Sequence, residues 1–153
     1  MAILGIISDT HGLLRPEATA FLTGCDLIVH AGDIGKPEII EGLETIAPVR
    51  AIRGNVDRAA WARNFPDTDT VRFAEKRIYL IHDVHDLPID PEAMEYDVVI
   101  SGHSHRPSEE TKGSVLYFNP GSAGPRRFSL PITLARFRIE DGAISIERHD
   151  ITG

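Results

Sequence analysis

The sequence predicts an α/β fold that passes into mostly antiparallel β structure. Early apolar runs alternate with short helical segments, and the second half strings strand-like runs together with little helical spacing between them. Asp, Asn and His residues gather where the apolar runs stop. Residues 2–8 form a continuous apolar run that ends in Ser8, as expected of a strand buried on both faces. Residues 16–22 follow as a short helix with Pro16 at its start. Residues 26–30 read as a second strand. Residues 37–47 place Ile39, Ile40, Leu43 and Ile46 at helical spacing. Residues 48–52 are a third strand, and β-α-β-α-β order implies a parallel sheet flanked by helices.

Beyond that point the character changes. Residues 70–74 and 76–82 flank a tight turn and read as neighbouring strands. A helical turn is expected near residues 91–94, then strands at 97–101, 114–119, 132–139 and 143–149. Asp141-Gly142 is a strong hairpin signal between the last two. No repeat, low-complexity tract or linker interrupts the 153 residues, so one domain over residues 1–153 is expected.

Composition narrows the function classes. The formal net charge of −7 lacks the broad basic footprint of a protein that binds duplex nucleic acid. No apolar run approaches the roughly 20 residues that span a bilayer, so no membrane partner is expected. The single cysteine, Cys25, excludes an intrachain disulfide and reads as a small packed residue. With no basic leader before the first strand, a cytoplasmic location is expected. The oligomeric state is left open, with a homodimer as one option.

The polar residues at the strand ends carry the chemistry. The first strand runs into Ser8-Asp9-Thr10-His11-Gly12, the second into His30-Ala31-Gly32-Asp33, and the third into Arg53-Gly54-Asn55-Val56-Asp57. Later strands end at His82-Asp83 and Gly102-His103-Ser104-His105. The carboxyl ends of strands in open α/β sheets form one rim, so these groups should converge. In extended chain, residues two apart share a side, which lets Asp9 face one metal with His11, and His103 with His105. Nitrogen and carboxylate donors without thiolate suit Mn, Fe, Co, Ni or Zn better than Ca. Singly, Asp9, Asp33 and Asn55 could be only helix caps or turn formers. Together with His82, His103 and His105 they describe a dinuclear site.

Asp9-x-His11, Gly32-Asp33, Gly54-Asn55-x-Asp57, His82 and Gly102-His103-x-His105 resemble the ordered motifs of the calcineurin-like metallophosphoesterases. The short length and Asn119-Pro120-Gly121-Ser122 are similar to the small bacterial and archaeal phosphodiesterase branch. The resemblance implies a four-layer αββα sandwich of two mixed sheets flanked by helices, with the metal site at the strand carboxyl ends. It implies that Asp9, His11 and His105 hold one metal, that Asn55, His82 and His103 hold the other, and that Asp33 bridges them. The cofactor implied is a pair of divalent transition-metal ions, manganese first, with Ni, Fe, Co or Zn as alternatives. The reaction implied is hydrolysis of a small phosphoester by a metal-bridging hydroxide, with Asp33, Asn55 and His103 as the catalytic set and the Asn55 amide also donating to the phosphate.

Two positions depart from that pattern. Val56 stands where larger relatives carry a histidine that contacts phosphate or protonates the leaving group, and Asp83 stands where glycine is common. Asp57 is expected to orient a ligand histidine. His30 is expected to be buried and hydrogen-bonded beside the site rather than a ligand. Among the arginines, Arg106 next to His105 is the expected phosphate contact, and Arg126 and Arg127 are read as surface charge. Trp61 and Phe65 are read as anchors of a loop on the core. The alternatives to an enzyme are a non-catalytic protein-interaction scaffold and a regulatory nucleotide-binding module on the same fold.

Overall fold

Apolar runs this short bury themselves only by pairing edge to edge and stacking face to face. The computed structural model describes residues 1–152. The first half contributes β1 (Ala2–Ile7), α1 (Pro16–Leu22), β2 (Leu27–His30), α2 (Pro37–Glu44) and β3 (Val49–Ala51). The remainder is β4 (Thr68–Phe73), β5 (Lys76–Ile81), β6 (Val98–Ile100), β7 (Ser108–Lys112), β8 (Val115–Asn119), β9 (Thr133–Glu140) and β10 (Ala143–Asp150). These form two five-stranded sheets, ordered β10-β9-β1-β2-β3 and β4-β5-β6-β8-β7.

Both sheets are mixed. Strands β1, β2 and β3 run parallel, as the β-α-β-α-β order requires. The C-terminal hairpin then adds to the free edge of β1, with β9 antiparallel to it. In the second sheet β5, β6 and β8 are parallel, and β4 and β7 close the edges antiparallel. Each α-helix begins with proline, whose missing N–H would have had no partner in the first turn. Helix α2 stops at Glu44 rather than continuing to residue 47, where Thr45 Oγ turns back onto the Gly42 carbonyl (2.6 Å) and Pro48 follows.

Alternation along the strands sorts side chains into layers. Leu4, Ile6, Val29 and Phe137 from the first sheet meet Ile78, Leu80, Ile100 and Phe118 from the second in the central core. The Phe118 and Phe137 rings cross this interface at 4.8 Å and 72°, an edge-to-face pair. On the far face of the first sheet, Ile7 and Ile28 pack under Leu22 of α1 and Ile39, Ile40 and Leu43 of α2. Gly5 makes that approach possible, since a Cβ there would stand 2.6 Å from Leu22 Cδ2. Cys25 lies in the same layer, and its thiol pKa is pushed up to about 11 by burial, so it stays protonated and unreactive. Trp61 and Phe65 pack against this layer as a T-shaped pair, as expected.

The two-sheet sandwich is the architecture anticipated, but its fourth layer is thin. Among the described residues, the outer face of the second sheet carries no α-helix. A one-turn 3-10 helix at Val84–Asp86 and the turn holding Tyr96 cover Tyr79, Ile81 and Val99 there. Strand β7 was not expected: Ser-Glu-Glu-Thr-Lys is exposed throughout and has no apolar face, so only its pairing with β8 makes it a strand. No helix among the described residues is long and apolar enough to cross a membrane.

Phe118→Ala should lower the free energy of unfolding in urea by about 3–5 kcal/mol, because it empties the contact between the sheets. The β4–β5 turn places Ala74 (φ 50°) and Glu75 (φ 67°) in the left-handed region, where asparagine and glycine fit better. Replacing Ala74-Glu75 by Asn-Gly should raise the urea midpoint, by about 1 kcal/mol of stability.

Candidate metal centre

The strand-end residues converge on one rim. Backbone bonds continue between loops beyond the strands: Asp9 N–H donates to the Gly32 carbonyl, His11 N–H to Asp33, Gly12 N–H to Ile34 and Gly102 N–H to His82, all at 2.8–2.9 Å. Asp9 (φ 55°), His11 (47°), Asp33 (55°), His103 (71°) and His105 (63°) are all left-handed. Non-glycine residues seldom adopt that conformation, which costs on the order of 1 kcal/mol each and clusters at functional sites. Gly54 and Gly102 allow the close approach of neighbouring carboxylates. A Cβ on Gly54 would stand 2.2 Å from Asp33 Oδ1, and one on Gly102 2.5 Å from Asp9 Oδ2.

Asp9 lies at the centre and is fully buried. Its Oδ2 accepts from Ser8 Oγ (2.7 Å) and the His103 N–H (3.1 Å). Its Oδ1 has no hydrogen-bond partner, yet His105, His82 and His11 bring their Nε2 atoms to 3.5, 3.8 and 3.9 Å from it. Asp33 Oδ1 accepts from the Val56 N–H (3.1 Å), while Oδ2 lies 3.2 Å from His82 Nε2 and 3.5 Å from His11 Nε2. Two ligand groups result, Asp9 with His11 and His105, and Asp9 with Asp33 and His82. Unbonded buried atoms here are Asp9 Oδ1, His11 Nε2, His82 Nε2 and His105 Nδ1. A buried polar atom left unsatisfied costs about 1–3 kcal/mol, and cations placed among these carboxylate and imidazole atoms would relieve the cost. The donor set thus fits borderline divalent metals.

Carboxylates and imidazoles at the centre also set one another's charge. Burial alone would lower the His82 pKa, but Asp33, Asp9 and the Ala31 carbonyl overcome it and hold the imidazole protonated more strongly than usual. Burial raises the Asp33 pKa, but His82, the Val56 N–H and His11 bring it below the ordinary carboxylate range. His82 Nδ1 faces the Ala31 carbonyl oxygen at 2.7 Å, so Nδ1 donates and Nε2 is turned toward the carboxylates.

Asn55 and His103 sit at the rim rather than in the buried cluster. Asn55 is exposed and shares with His82 the wall of a cavity of about 360 Å³. His103 is exposed, with its ring 5.2 Å from that of His82 and its Nε2 3.6 Å from Asp83 Oδ2. Asp83 also accepts from the backbone N–H and Nδ1 of His85 (3.1 and 3.0 Å), which leaves His85 outside the cluster and His82 inside it.

One expectation is corrected. Asp57 does not orient a histidine. Its carboxylate accepts from the backbone N–H groups of Ile34 (3.0 Å), Gly35 (3.0 Å) and Gly54 (2.9 Å), because the Gly-Asn-Val-Asp turn folds it back over the loops that carry Asp33 and Asn55. Arg106 is exposed just ahead of Pro107, with its backbone N–H on Ser104 Oγ (3.2 Å). The arginines that line a cavity with His11 and His105 are Arg126 and Arg127. Nothing local in the sequence links them to the site.

His30 is where it was expected and serves the backbone. Thr10 Oγ1 donates to the Ile34 carbonyl (2.9 Å), so His30 Nε2 must donate to Thr10 (3.0 Å) and Nδ1 accept from the Gly32 N–H (3.1 Å). Burial pushes its pKa down to about 4, which keeps this neutral tautomer. Ser8 and Thr10 are further supporting residues, and their place flanking Asp9 in Ser-Asp-Thr-His is the only sequence signal for them. The Asn119–Ser122 turn supports the site from below, with Asn119 Nδ2 on the Gly102 carbonyl (2.9 Å) and Ser122 Oγ on that of Asp9 (3.0 Å).

Comparison with known proteins agrees with this geometry. A family model described as the calcineurin-like phosphoesterase superfamily domain matches residues 1–142. A probable metallophosphoesterase of Methanothermobacter thermautotrophicus is 34% identical over 158 residues, covering 95% of this chain and 90% of that protein. The phosphodiesterase YfcE of Escherichia coli K12 is 31% identical over 147 residues, covering 80% of this chain and 79% of that one. Among solved structures, Vps29 of Chaetomium thermophilum superposes with a TM-score of 0.79 over 99% of this chain and 97% of its own, at 16% identity, a likeness of fold alone. With its ordered strand-end Asp, Asn and His residues, its two-sheet sandwich and a family match over most of its length, the chain belongs to the calcineurin-like phosphoesterase superfamily.

Proposed function

We propose that this protein is a phosphodiesterase that works with two divalent transition-metal ions. The observation that carries the proposal is the cluster of Asp9, His11, Asp33, His82 and His105, in which Asp9 Oδ1, His11 Nε2, His82 Nε2 and His105 Nδ1 are buried without hydrogen-bond partners. Asp9, His11 and His105 would hold one ion and His82, His103 and Asn55 the other. Asp33, with one oxygen 3.2–3.5 Å from both His82 and His11, would serve both. Bound there, the ions would acidify a water and offset the charge that develops on the phosphoryl oxygens.

The protein's own groups do the rest. Asp57 and His30 fix the Gly32–Gly35 backbone and so fix where Asp33 points. Asn55, exposed at the cavity wall, has an amide that can donate to a phosphoryl oxygen. Val56 offers no proton to a leaving group, so esters of acidic alcohols should react fastest. The substrate is taken to be a small molecule, since the cavity wall beside His82 encloses about 360 Å³, within the usual size of small-ligand sites. The scaffold reading draws on the Vps29 likeness, but side chains suited to metal binding occupy every expected ligand position here.

Bis(p-nitrophenyl) phosphate should be hydrolysed with Mn²⁺ and not with excess chelator, and Asp33→Asn should reduce the rate on the order of 100-fold or more. Release no faster than that variant's would favour a binding module without turnover. Aryl diesters of graded leaving-group pKa should show rates that fall as the pKa rises, and a flat profile under rate-limiting chemistry would place a proton donor in the site. Mn²⁺ at about 100 times its Kd should add about 2.7 kcal/mol of stability, seen as a rise in Tm that Asp9→Asn abolishes.

A further inference from the structure

Charge is divided across the two sides of the metal centre. The cavity beside Asn55 and His82 is bordered by Asp67, Asp83 and Asp86, and its one arginine, Arg53, is paired with Asp67 at 3.0 Å. A neighbouring cavity of about 380 Å³ beside His103 carries Asp83, Glu109 and Glu110 against Lys112. The opposite side reverses the sign. There a cavity of about 230 Å³ is lined by His11, His105, Pro125, Arg126 and Arg127, with no carboxylate. Arg15 reaches the Gly124 carbonyl beside it, and the Lys36 stem lies over Gly12.

What sets these arginines apart is their place beside His11 and His105. Among the described residues, Arg50, Arg53, Arg136, Arg138 and Arg148 pair with carboxylates, whereas Arg15, Arg58, Arg63, Arg72, Arg77 and Arg106 do not. Among the described residues, neither Arg126 nor Arg127 has such a partner, although the chain carries a net charge of −7. Arg126 Nε turns to the Leu130 carbonyl of its own loop (3.3 Å), which stiffens the loop and leaves the terminal nitrogens free of protein acceptors. The loop is fixed to the metal-binding segment itself. Ala123 N–H donates to the Ser8 carbonyl and Ser122 Oγ to that of Asp9, both at 3.0 Å. Gly124 lies so close that a Cβ would stand 2.4 Å from the Asp9 carbonyl oxygen. The guanidinium groups are therefore carried on the same frame as Asp9 and His11.

We propose that the Arg126–Arg127 cavity binds a second phosphate of the substrate, on the same molecule as the ester to be cleaved. Guanidinium pairs suit phosphate because their planar N–H forks match its oxygens. At about 230 Å³ the cavity is smaller than the roughly 300–1,000 Å³ that holds a whole drug-sized ligand, so it takes a group and not a molecule. The acidic cavities across the centre repel an anionic arm and accept a neutral or cationic alcohol. The substrate class is thus an asymmetric phosphodiester, with a terminal phosphate toward Arg126 and Arg127 and the leaving alcohol toward Asp83. This assignment rests on the phosphodiesterase reading above and names the substrate of that same site.

Two chromogenic esters isolate the contact: thymidine 5′-(p-nitrophenyl phosphate) with and without a 3′-phosphate. With Mn²⁺ present, the 3′-phosphorylated ester should show a kcat/KM at least about 10-fold higher, chiefly through KM. In the Arg126→Ala/Arg127→Ala variant the ratio between the two esters should fall to about one, and Arg126→Lys/Arg127→Lys should retain part of it. Both residues are exposed, so neither change reaches the core. Calorimetry of thymidine 3′,5′-bisphosphate against thymidine 5′-phosphate on the Mn²⁺-loaded protein gives a readout without turnover. Tighter binding of the bisphosphate, lost in the alanine variant, supports the subsite even if neither ester is cleaved, in which case only the phosphodiesterase reading fails. Equal affinities, or a preference that survives the alanine variant, overturns the subsite whether or not the esters are hydrolysed.

Discussion

The site depends on loops that bond to one another past the ends of their strands. After β1 and β2 leave the sheet, Asp9, His11 and Gly12 still donate to the carbonyls of Gly32, Asp33 and Ile34, and Gly102 reaches across to His82. These bonds hold Asp9, His11, Asp33, His103 and His105 in a left-handed backbone that isolated residues would abandon. Neutral His30 and the Asp57 carboxylate complete the clamp by occupying the N–H groups that the turn leaves free. Remove the clamp and the imidazoles would have no reason to share one carboxylate.

Much of this was readable from the residues. Apolar runs of strand length, with proline at the head of each helix, located the elements from β1 to β3. The rule that ligands gather at the carboxyl ends of strands is enough to group Asp9, Asp33 and His82. What escaped was information that only three dimensions contain. Strand β7 has no apolar alternation to betray it. Asp57 looks like a partner for histidine until the turn shows it folded over backbone amides. Arg106 looked promising because it adjoins His105 in sequence, yet Arg126 and Arg127, far along the chain, are the arginines that share a cavity with it. The fourth layer shrank because the segment between β5 and β6 holds only single turns, too short for a helix.

The core and the site are joined mechanically as well as spatially. Phe118 crosses the sandwich, and Asn119 next to it bonds to Gly102 and Ser104 between the histidines of the last motif. Arg148 of β10 lies over the Phe118 ring and donates to the Asn119 carbonyl (3.1 Å), which ties the first sheet to that same strand end. Displacement of one sheet against the other would therefore reach His103 and His105 directly.

The seating of β1 between β2 and β9 sets a constraint on how the chain folds. Ala2 pairs with Ile139, so the central strand of the first sheet has one neighbour made early and the other made almost last. Until the C-terminal hairpin is synthesised, β1 presents an apolar, unpaired edge beside a finished partner. Such long-range closure slows folding and leaves a template for association with other chains in the interval. The segments that carry Asp9 and Asp33 are made well before the strands that complete the sheet beneath them.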